Sequence, residues 1–203
     1  MKIKYTRPEL KKQREKLRRF ERYVPMLELK SKLLQNALIF TNKEIATLDT
    51  KIAGQNLTLD SYRVLLDEPC GLSLEQITTP SQVSTQHGNI AGISFDILTS
   101  VRFDAPAYSL LHTPAWVDKA VDDLRSLKKL QLARDILFLK LNSLKDELKK
   151  VNQRLNLFEK VVIPETGHNI QTIRIHLGDE QTAAVGRAKI AKRKMGQKQA
   201  KGF

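Results

Sequence analysis

The sequence predicts a fold dominated by α-helix: a long antiparallel two-helix coiled-coil hairpin with a small mixed tip region that contains a short β-hairpin. Three observations predict it. Apolar residues recur at alternating spacings of three and four in two long runs, one in each half of the chain. Residues 57–115, between these runs, alternate turn-forming residues with short apolar stretches. Each run would extend roughly 70 Å as a helix at about 1.5 Å per residue, which is too long for one compact globule.

Residues 1–56 form the first predicted helix. Fourteen positions at heptad spacing make its seam, and ten of them are apolar. These positions are Leu10, Gln13, Leu17, Phe20, Val24, Leu27, Ser31, Leu34, Leu38, Thr41, Ile45, Leu48, Ile52 and Gln55. Thr6 and Glu9 match a capping box at the start of the helix. Pro25 predicts a local bend, and Gly54 predicts the end of the helix.

Residues 116–186 form the second predicted helix, which Thr113 can cap and Pro114 can begin. All but one of its eleven seam positions are apolar, the exception being Arg134. The seam is Leu127, Leu130, Arg134, Leu137, Leu141, Leu144, Leu148, Val151, Leu155, Phe158 and Val162. Two such seams in one chain predict that the helices pack against each other. Residues 187–203 are predicted to form a separate basic tail.

Pro164 interrupts the second helical pattern, and a proline inside a helix costs about 3 kcal/mol. If Ile45 faces Leu127, facing residue numbers sum to about 172, and Leu10 lies opposite Val162. The amino-terminal end of the first helix would then lie opposite Pro164, and the second helix would have no partner beyond it. Beyond the proline, the apolar stripe continues only after a shift of one residue, at Ile163, Ile170, Ile173 and Leu177. We expect a break at which the carboxy-terminal segment leaves its helical partner. The alternative is a hairpin followed by a separate short helix.

A second apolar stripe lies outside each seam. It comprises Met26, Leu33, Ala37 and Phe40 on the first helix and Leu132, Ile136 and Leu139 on the second. A two-helix hairpin has no interior to bury a second stripe, so this surface is predicted to be covered by another element. Docking by a separate protein and folding of the middle segment onto the stripe both remain open.

The stretch "NIAGISFDIL" at residues 89–98 predicts a β-hairpin, with Gly88 and Gly92 as turn or bulge residues. The tip region as a whole is acidic. It contains six Asp and Glu against Arg63 and Arg102.

The formal net charge of the 203-residue chain is +13, and basic residues concentrate at the two ends. Residues 1–22 contain ten Lys and Arg, and residues 181–203 contain seven and no acidic residue. A basic coiled-coil protein that binds nucleic acid would show such a distribution. A general scaffolding protein would instead explain the second stripe. Both alternatives are kept at this point.

No sequence pattern indicates catalysis, a cofactor or a metal site. The chain contains no glycine-rich phosphate-binding motif. Its four histidines, His87, His112, His168 and His176, have no Cys or carboxylate at metal-ligand spacing, and Cys70 has no His nearby in sequence. No apolar leader follows Met1, and no stretch is apolar enough to span lipid, so a cytoplasmic location is expected.

Three segments, in the same order along the chain, resemble one family. "TRPELKKQREKLRRFERYVPMLELKSKLL" near the start, "NIAGI" in the middle and "VNQRLNLFEKVVIPETGHNIQTIRIHL" after the second helix resemble the D subunit of V-type and A-type rotary ATPases. The Ile163-Pro164 element is the most specific of these matches. Together the three segments extend over most of the chain.

The resemblance implies a non-catalytic central-stalk rotor that couples ATP hydrolysis or synthesis to ion translocation, including hydrogen ion transport. It also implies three partners: the hexamer of catalytic A and B subunits, the F subunit along the side, and a membrane-side socket protein of the C or d type on the ion-carrying ring. No cofactor, nucleic acid or direct membrane insertion is expected, and the protein would lie at the cytoplasmic side of the membrane.

Candidate contact residues follow by position. The stripe residues Leu33, Ala37, Phe40, Leu132, Ile136 and Leu139 are the candidates for the F subunit. Arg7, Lys11, Ile170, Ile173, Leu177, Arg187 and Lys189 are the candidates for the catalytic hexamer. Asn89, Ile90 and Gly92 are the candidates for the membrane-side socket.

Overall fold

A computed structural model of the chain describes residues 4–66, 73–105 and 113–200, so Cys70 and His112 lie outside the described residues. In chain order the elements are α1 (Arg7–Asp60), α2 (Arg63–Leu66), α3 (Leu74–Thr78), β1 (Pro80–Ile90), β2 (Ile93–Phe103), α4 (Trp116–Leu157), a π-helical turn (Phe158–Val162) and α5 (Ile163–Ala200). The chain divides into two compact units, one of residues 1–29 with 151–203 and the other of residues 30–150.

The predicted seams form the core. All fourteen seam positions of the first helix and all eleven of the second are buried or half-buried. Leu34, Leu144 and Val151 are among the fully buried side chains. Two long helices therefore pack together with a two-stranded hairpin between them in the chain, which confirms the predicted fold class.

In the unit of residues 30–150, contacts of α4 with α1 and with the turn that follows α1 show the antiparallel register. Lys30 Nζ lies 2.8 Å from Glu147 Oε1, and the Tyr62 hydroxyl donates to Asp123 Oδ2 at 2.7 Å. Facing residue numbers thus sum to between 177 and 185, not to about 172. The predicted pairing of Ile45 with Leu127 was wrong because periodicity fixes which face of a helix is buried but not how far it slides along its partner.

In the unit of residues 1–29 with 151–203, the start of the chain lies beside residues well past Pro164. The Phe20 and Phe158 rings are 5.4 Å apart, and Tyr5 stacks on His176 at 4.9 Å between ring centroids. The segment after Pro164 therefore does not leave its helical partner, and the prediction that it does was wrong.

The π-helical turn explains the shift of the apolar stripe. The Ile163 N–H donates to the Phe158 carbonyl five residues earlier, so the turn contains one more residue than an α-helical turn. Thr166 Oγ1 donates to the Val162 carbonyl at 2.6 Å just beyond Pro164. After this turn Ile173 is buried and Ile163 is half-buried, so the shifted stripe lies where the sequence placed it but is buried within this chain. The change at Pro164 is a local insertion within helical structure.

Both long helical segments extend past their predicted ends. α1 continues through Gly54 to Asp60, and α5 continues beyond residue 186 to Ala200. A glycine inside a helix costs only about 1 kcal/mol, and Leu59 is buried in the turn that follows. The end of α5 is rich in Ala, Lys, Arg and Gln, which are strong helix formers.

The predicted β-hairpin is confirmed. β1 and β2 are antiparallel, and Ile90 pairs with Ile93 across a two-residue turn. Both turn residues have positive φ, 54° at Ala91 and 86° at Gly92, as a type I′ turn requires. The Gly92 N–H donates to Asn89 Oδ1 at 3.0 Å.

Candidate partner-binding surfaces

The lateral stripe is exposed on α1. Leu33 is 49% exposed and Phe40 is 62% exposed, and Ala37 between them is half-buried. On α4, Leu139 is 69% exposed. Apolar side chains that cluster on one exposed surface, unlike singly exposed ones, are typical of a surface that binds another protein.

The β-hairpin covers part of the α4 stripe. Ile136 lies beneath the strands and lines two grooves there, of about 230 and 190 Å³. Leu132 is half-buried. The sequence left two alternatives open for covering the stripe. The middle segment covers Ile136, but it leaves Leu33 and Phe40 exposed.

Lys140 connects the hairpin to both helices, a role that periodicity did not reveal. Its side chain is only 10% exposed, and its Nζ lies 4.6 Å from the centre of the Phe95 ring and 3.9 Å from Glu44 Oε2. Gly88, the cross-strand neighbour of Phe95, makes room for the ring, because a Cβ at residue 88 would lie 2.8 Å from it.

The structure brings together two of the predicted hexamer contacts. Arg7 and Leu177 line the same open groove of about 660 Å³, next to the stacked rings of Tyr5 and His176. Lys11, Arg187 and Lys189 are exposed, and Ile170 is half-buried. Ile173 is 0% exposed. Its prediction as a contact is corrected, because its side chain belongs to the core.

The socket candidates do not lie at the end where α1 finishes and α4 begins. Phe103, at the base of the hairpin, is 5.3 Å from the Arg125 guanidinium, whereas Phe95, near the turn, packs on Lys140. The hairpin thus runs along α4 away from its start and carries Asn89, Ile90 and Gly92 with it. Strands of 11 residues are long enough to fold back in this way, which the sequence pattern did not indicate.

The end where α1 finishes presents other apolar residues. Leu57 and Val64 are strongly exposed there, and Leu65 is partly exposed. Next to them the Tyr62 hydroxyl binds Asp123. Burial, and then the hydrogen bond and negative charge of Asp123, raise the pKa of Tyr62 above its ordinary value of 10.0.

The described residues contain no cluster of three or more His, Cys, Asp or Glu side chains that could hold a metal ion. Within the same ranges, no helix has a stretch long and apolar enough to pass through a membrane.

Comparison with known proteins shows the family of this chain. A family described as the D subunit of ATP synthase matches residues 9–193. The chain belongs to this ATP synthase D-subunit family. It is 37% identical over 196 residues to the V-type ATP synthase D subunit of Borreliella burgdorferi, with 94% of each chain covered. It is 30% identical over 201 residues to that of Chlamydia pneumoniae, with 98% of this chain and 96% of the relative covered, and 31% identical over 199 residues to that of Chlamydia caviae, with 97% and 95% covered.

The resemblance found in the three sequence segments is therefore confirmed. The D subunit is the central-stalk rotor of a V-type ATP synthase, a complex of ATP synthesis and ion transport. The nucleic-acid and scaffolding alternatives are set aside, because the basic ends and the exposed stripe belong to a chain that matches this family along nearly its whole length.

Proposed function

We propose that this rotor transmits torque between a hexamer of catalytic A and B subunits and an ion-carrying membrane ring, and that it performs no chemistry itself. The packed seam is the observation that carries the proposal. Each fully buried side chain contributes roughly 1.5–3 kcal/mol of attraction before chain entropy is subtracted, so the seam packed within each unit resists unwinding of the two helices there.

The ends of the chain are proposed to contact the catalytic hexamer. Arg7 and Leu177 share one groove, and Lys11, Arg187 and Lys189 present long basic side chains to solvent. Ile170, on the same helix as Arg187 and Lys189, is half-buried. Exposed ion pairs contribute little and are screened by salt, so these residues would make weak contacts that can change as the rotor turns. Assembly with the hexamer should weaken as the salt concentration rises, and assembly independent of salt would count against this role.

The F subunit is proposed to bind the exposed part of the lateral stripe, Leu33 and Phe40 on α1 and Leu139 on α4. Their exposure supports the proposal, because water contact with large apolar groups is removed when a partner covers them. Ala37, Leu132 and Ile136 are buried to a greater degree and would contribute less.

The membrane-side socket protein is proposed to bind the end of the two-helix structure where α1 finishes and α4 begins. Leu57, Val64 and Leu65 are the apolar residues exposed there. They replace Asn89, Ile90 and Gly92 as candidates. The β-hairpin runs along α4 and holds those three residues away from this end.

Coupling tests the rotor role. In vesicles that contain the complex, a rotor with Leu34→Ala and Leu144→Ala should lower the number of ions moved per ATP hydrolysed, since both leucines are fully buried in the seam. Ile39→Ala removes an exposed side chain from α1 and should leave that ratio unchanged. An unchanged ratio in the double variant, despite a measured loss of seam stability, would contradict torque transmission by packing.

Binding of the F subunit is tested separately. Phe40→Asp places a charge in the proposed interface and should reduce affinity at least tenfold, because the carboxylate would be desolvated in the complex. Ile39→Asp is the matched control: Ile39 is 56% exposed, adjacent in sequence and outside the stripe. Equal losses in both variants, or none in Phe40→Asp, would remove the stripe as the binding site.

A further inference from the structure

The β-hairpin is anchored on α4 much more firmly at its base than near its turn. At the base, Arg125 ties down the segments on both sides of the hairpin. Its Nη2 donates to the Ile77 carbonyl at 3.0 Å and to the Asp104 carbonyl at 2.6 Å. Phe103 adds to this anchor, with its ring 5.3 Å from the Arg125 guanidinium and 5.5 Å from Lys129 Nζ.

Near the turn, the described polar contact is a single cation on a single ring, beside the apolar side chains of Ile97 and Leu98. The Phe95 ring lies between Gly88 of β1 and the Lys140 ammonium of α4, at 4.6 Å from the latter. A cation–π contact of this kind is worth far less than the charged hydrogen bonds of Arg125. Only glycine at residue 88 lets the ring take this position.

The strands do not pack tightly against α4 along their whole length. Grooves of about 230 and 190 Å³, partly open to solvent, lie between the strands and the helix, and each is large enough for several water molecules. Glu44 Oε2 is buried and has no hydrogen-bond partner among the described residues, and Lys140 at 3.9 Å is too far away to donate to it. The ion pair with Lys140 at 3.9 Å offsets only part of the cost of burying this oxygen, because it supplies charge but no hydrogen bond.

We propose that residues 80–103 form a hinged flap. The flap pivots at Arg125, is held closed by Phe95 on Lys140, and covers Ile136 when it is closed. Opening exposes Ile136 and lets Lys140 and Glu44 regain water. Because Ile136 is part of the lateral stripe, the flap controls how much of that stripe is available to the F subunit, a consequence that rests on the proposed function.

Thiol labelling of the full-length chain tests the flap without any partner. In a Cys70→Ser background, Ala133→Cys places the reporter in the 230 Å³ groove, which Phe95 does not line. Phe95→Ala should raise the labelling rate at residue 133 about tenfold, the change expected when a cation–π contact that holds the closed state is lost. Because Phe95 lines the other groove, a faster rate at residue 133 reports movement of the whole flap.

Two controls separate flap opening from general loosening. His87→Gln removes the exposed contact between His87 and Asp96 on the same hairpin but leaves the Phe95 ring in place, so the rate at residue 133 should not change. A thiol at the exposed Asn142 of α4 should react equally fast in every variant. An unchanged rate at residue 133 in Phe95→Ala, with helix content preserved, would overturn the proposal.

A second measurement addresses the link to the F subunit. Phe95→Ala should speed association of this partner about as much as it speeds labelling. Faster labelling with unchanged association would leave the flap in place and overturn its control of the stripe. Failure of the F subunit to bind even the unaltered chain would instead contradict the proposed binding surface.

Discussion

Thr41 occupies a seam position of α1, is 0% exposed, and carries a hydroxyl with no hydrogen-bond partner among the described residues. Burying a hydroxyl without a partner costs about 1–3 kcal/mol by comparison with mutants of other proteins. Thr41→Val replaces the hydroxyl by a methyl group of similar size. We therefore expect the free energy of unfolding to rise by about 1–2 kcal/mol and Tm by about 2–8 °C for a chain of this length.

Thermal and urea unfolding followed by circular dichroism at 222 nm measures both quantities. Two further variants set the scale. Thr41→Ser keeps the hydroxyl and removes the methyl group, so it should lower the free energy of unfolding by about 1 kcal/mol. Thr47→Val alters an exposed threonine on the same helix and should change it by less than about 0.5 kcal/mol. If Thr41→Val were less stable than the unaltered chain, the hydroxyl would be satisfied and the reasoning from the seam would be refuted.

Three further predictions concern single contacts. Replacing Lys30 by Met and Glu147 by Gln, singly and together, should give a coupling free energy of about 1 kcal/mol in urea unfolding, and zero coupling would mean that water screens the 2.8 Å pair completely. Ala91→Asn should slow proteolysis of the hairpin severalfold, because Asn tolerates the positive φ at this position better than Ala; faster cleavage would contradict the type I′ turn. Folding raises the pKa of Tyr62, so the contribution of Tyr62 to stability is complete below about pH 10 and is lost as pH rises above that value. Tyr62→Phe should remove this loss of stability at alkaline pH. An identical dependence of stability on pH in the variant would contradict the buried bond to Asp123.

The π-helical turn explains why the heptad pattern is interrupted at Ile163 and Pro164. An extra residue before the proline moves the apolar stripe by one position, so that Ile173 and the half-buried Leu177 continue the packed face. Ile163 and Pro164 were also the most specific part of the family resemblance. The same residues that break the heptad count thus keep the start of α1 and the carboxy-terminal helix in contact.

The candidate surfaces were only partly predictable. Leu33 and Phe40 were predicted to be covered either by a separate protein or by the middle segment, and their exposure shows that the middle segment does not cover them. Ile173 was assigned to a contact surface because the register was misjudged, although its helical face was assigned correctly. Lys140 on Phe95 was not predicted, because the two residues are far apart in the chain and neither belongs to a recognisable motif.

The sequence by itself determined which residues of the long helices are buried, that the tip region contains a β-hairpin, and to which family the chain belongs, because each depends on local periodicity or on the order of motifs. Only the tertiary structure decided the register between the helices, the position of the hairpin along α4 and the π-helical turn. These features depend on side chains that meet across long separations in the chain, and small differences in packing free energy choose among registers that share the same heptad pattern.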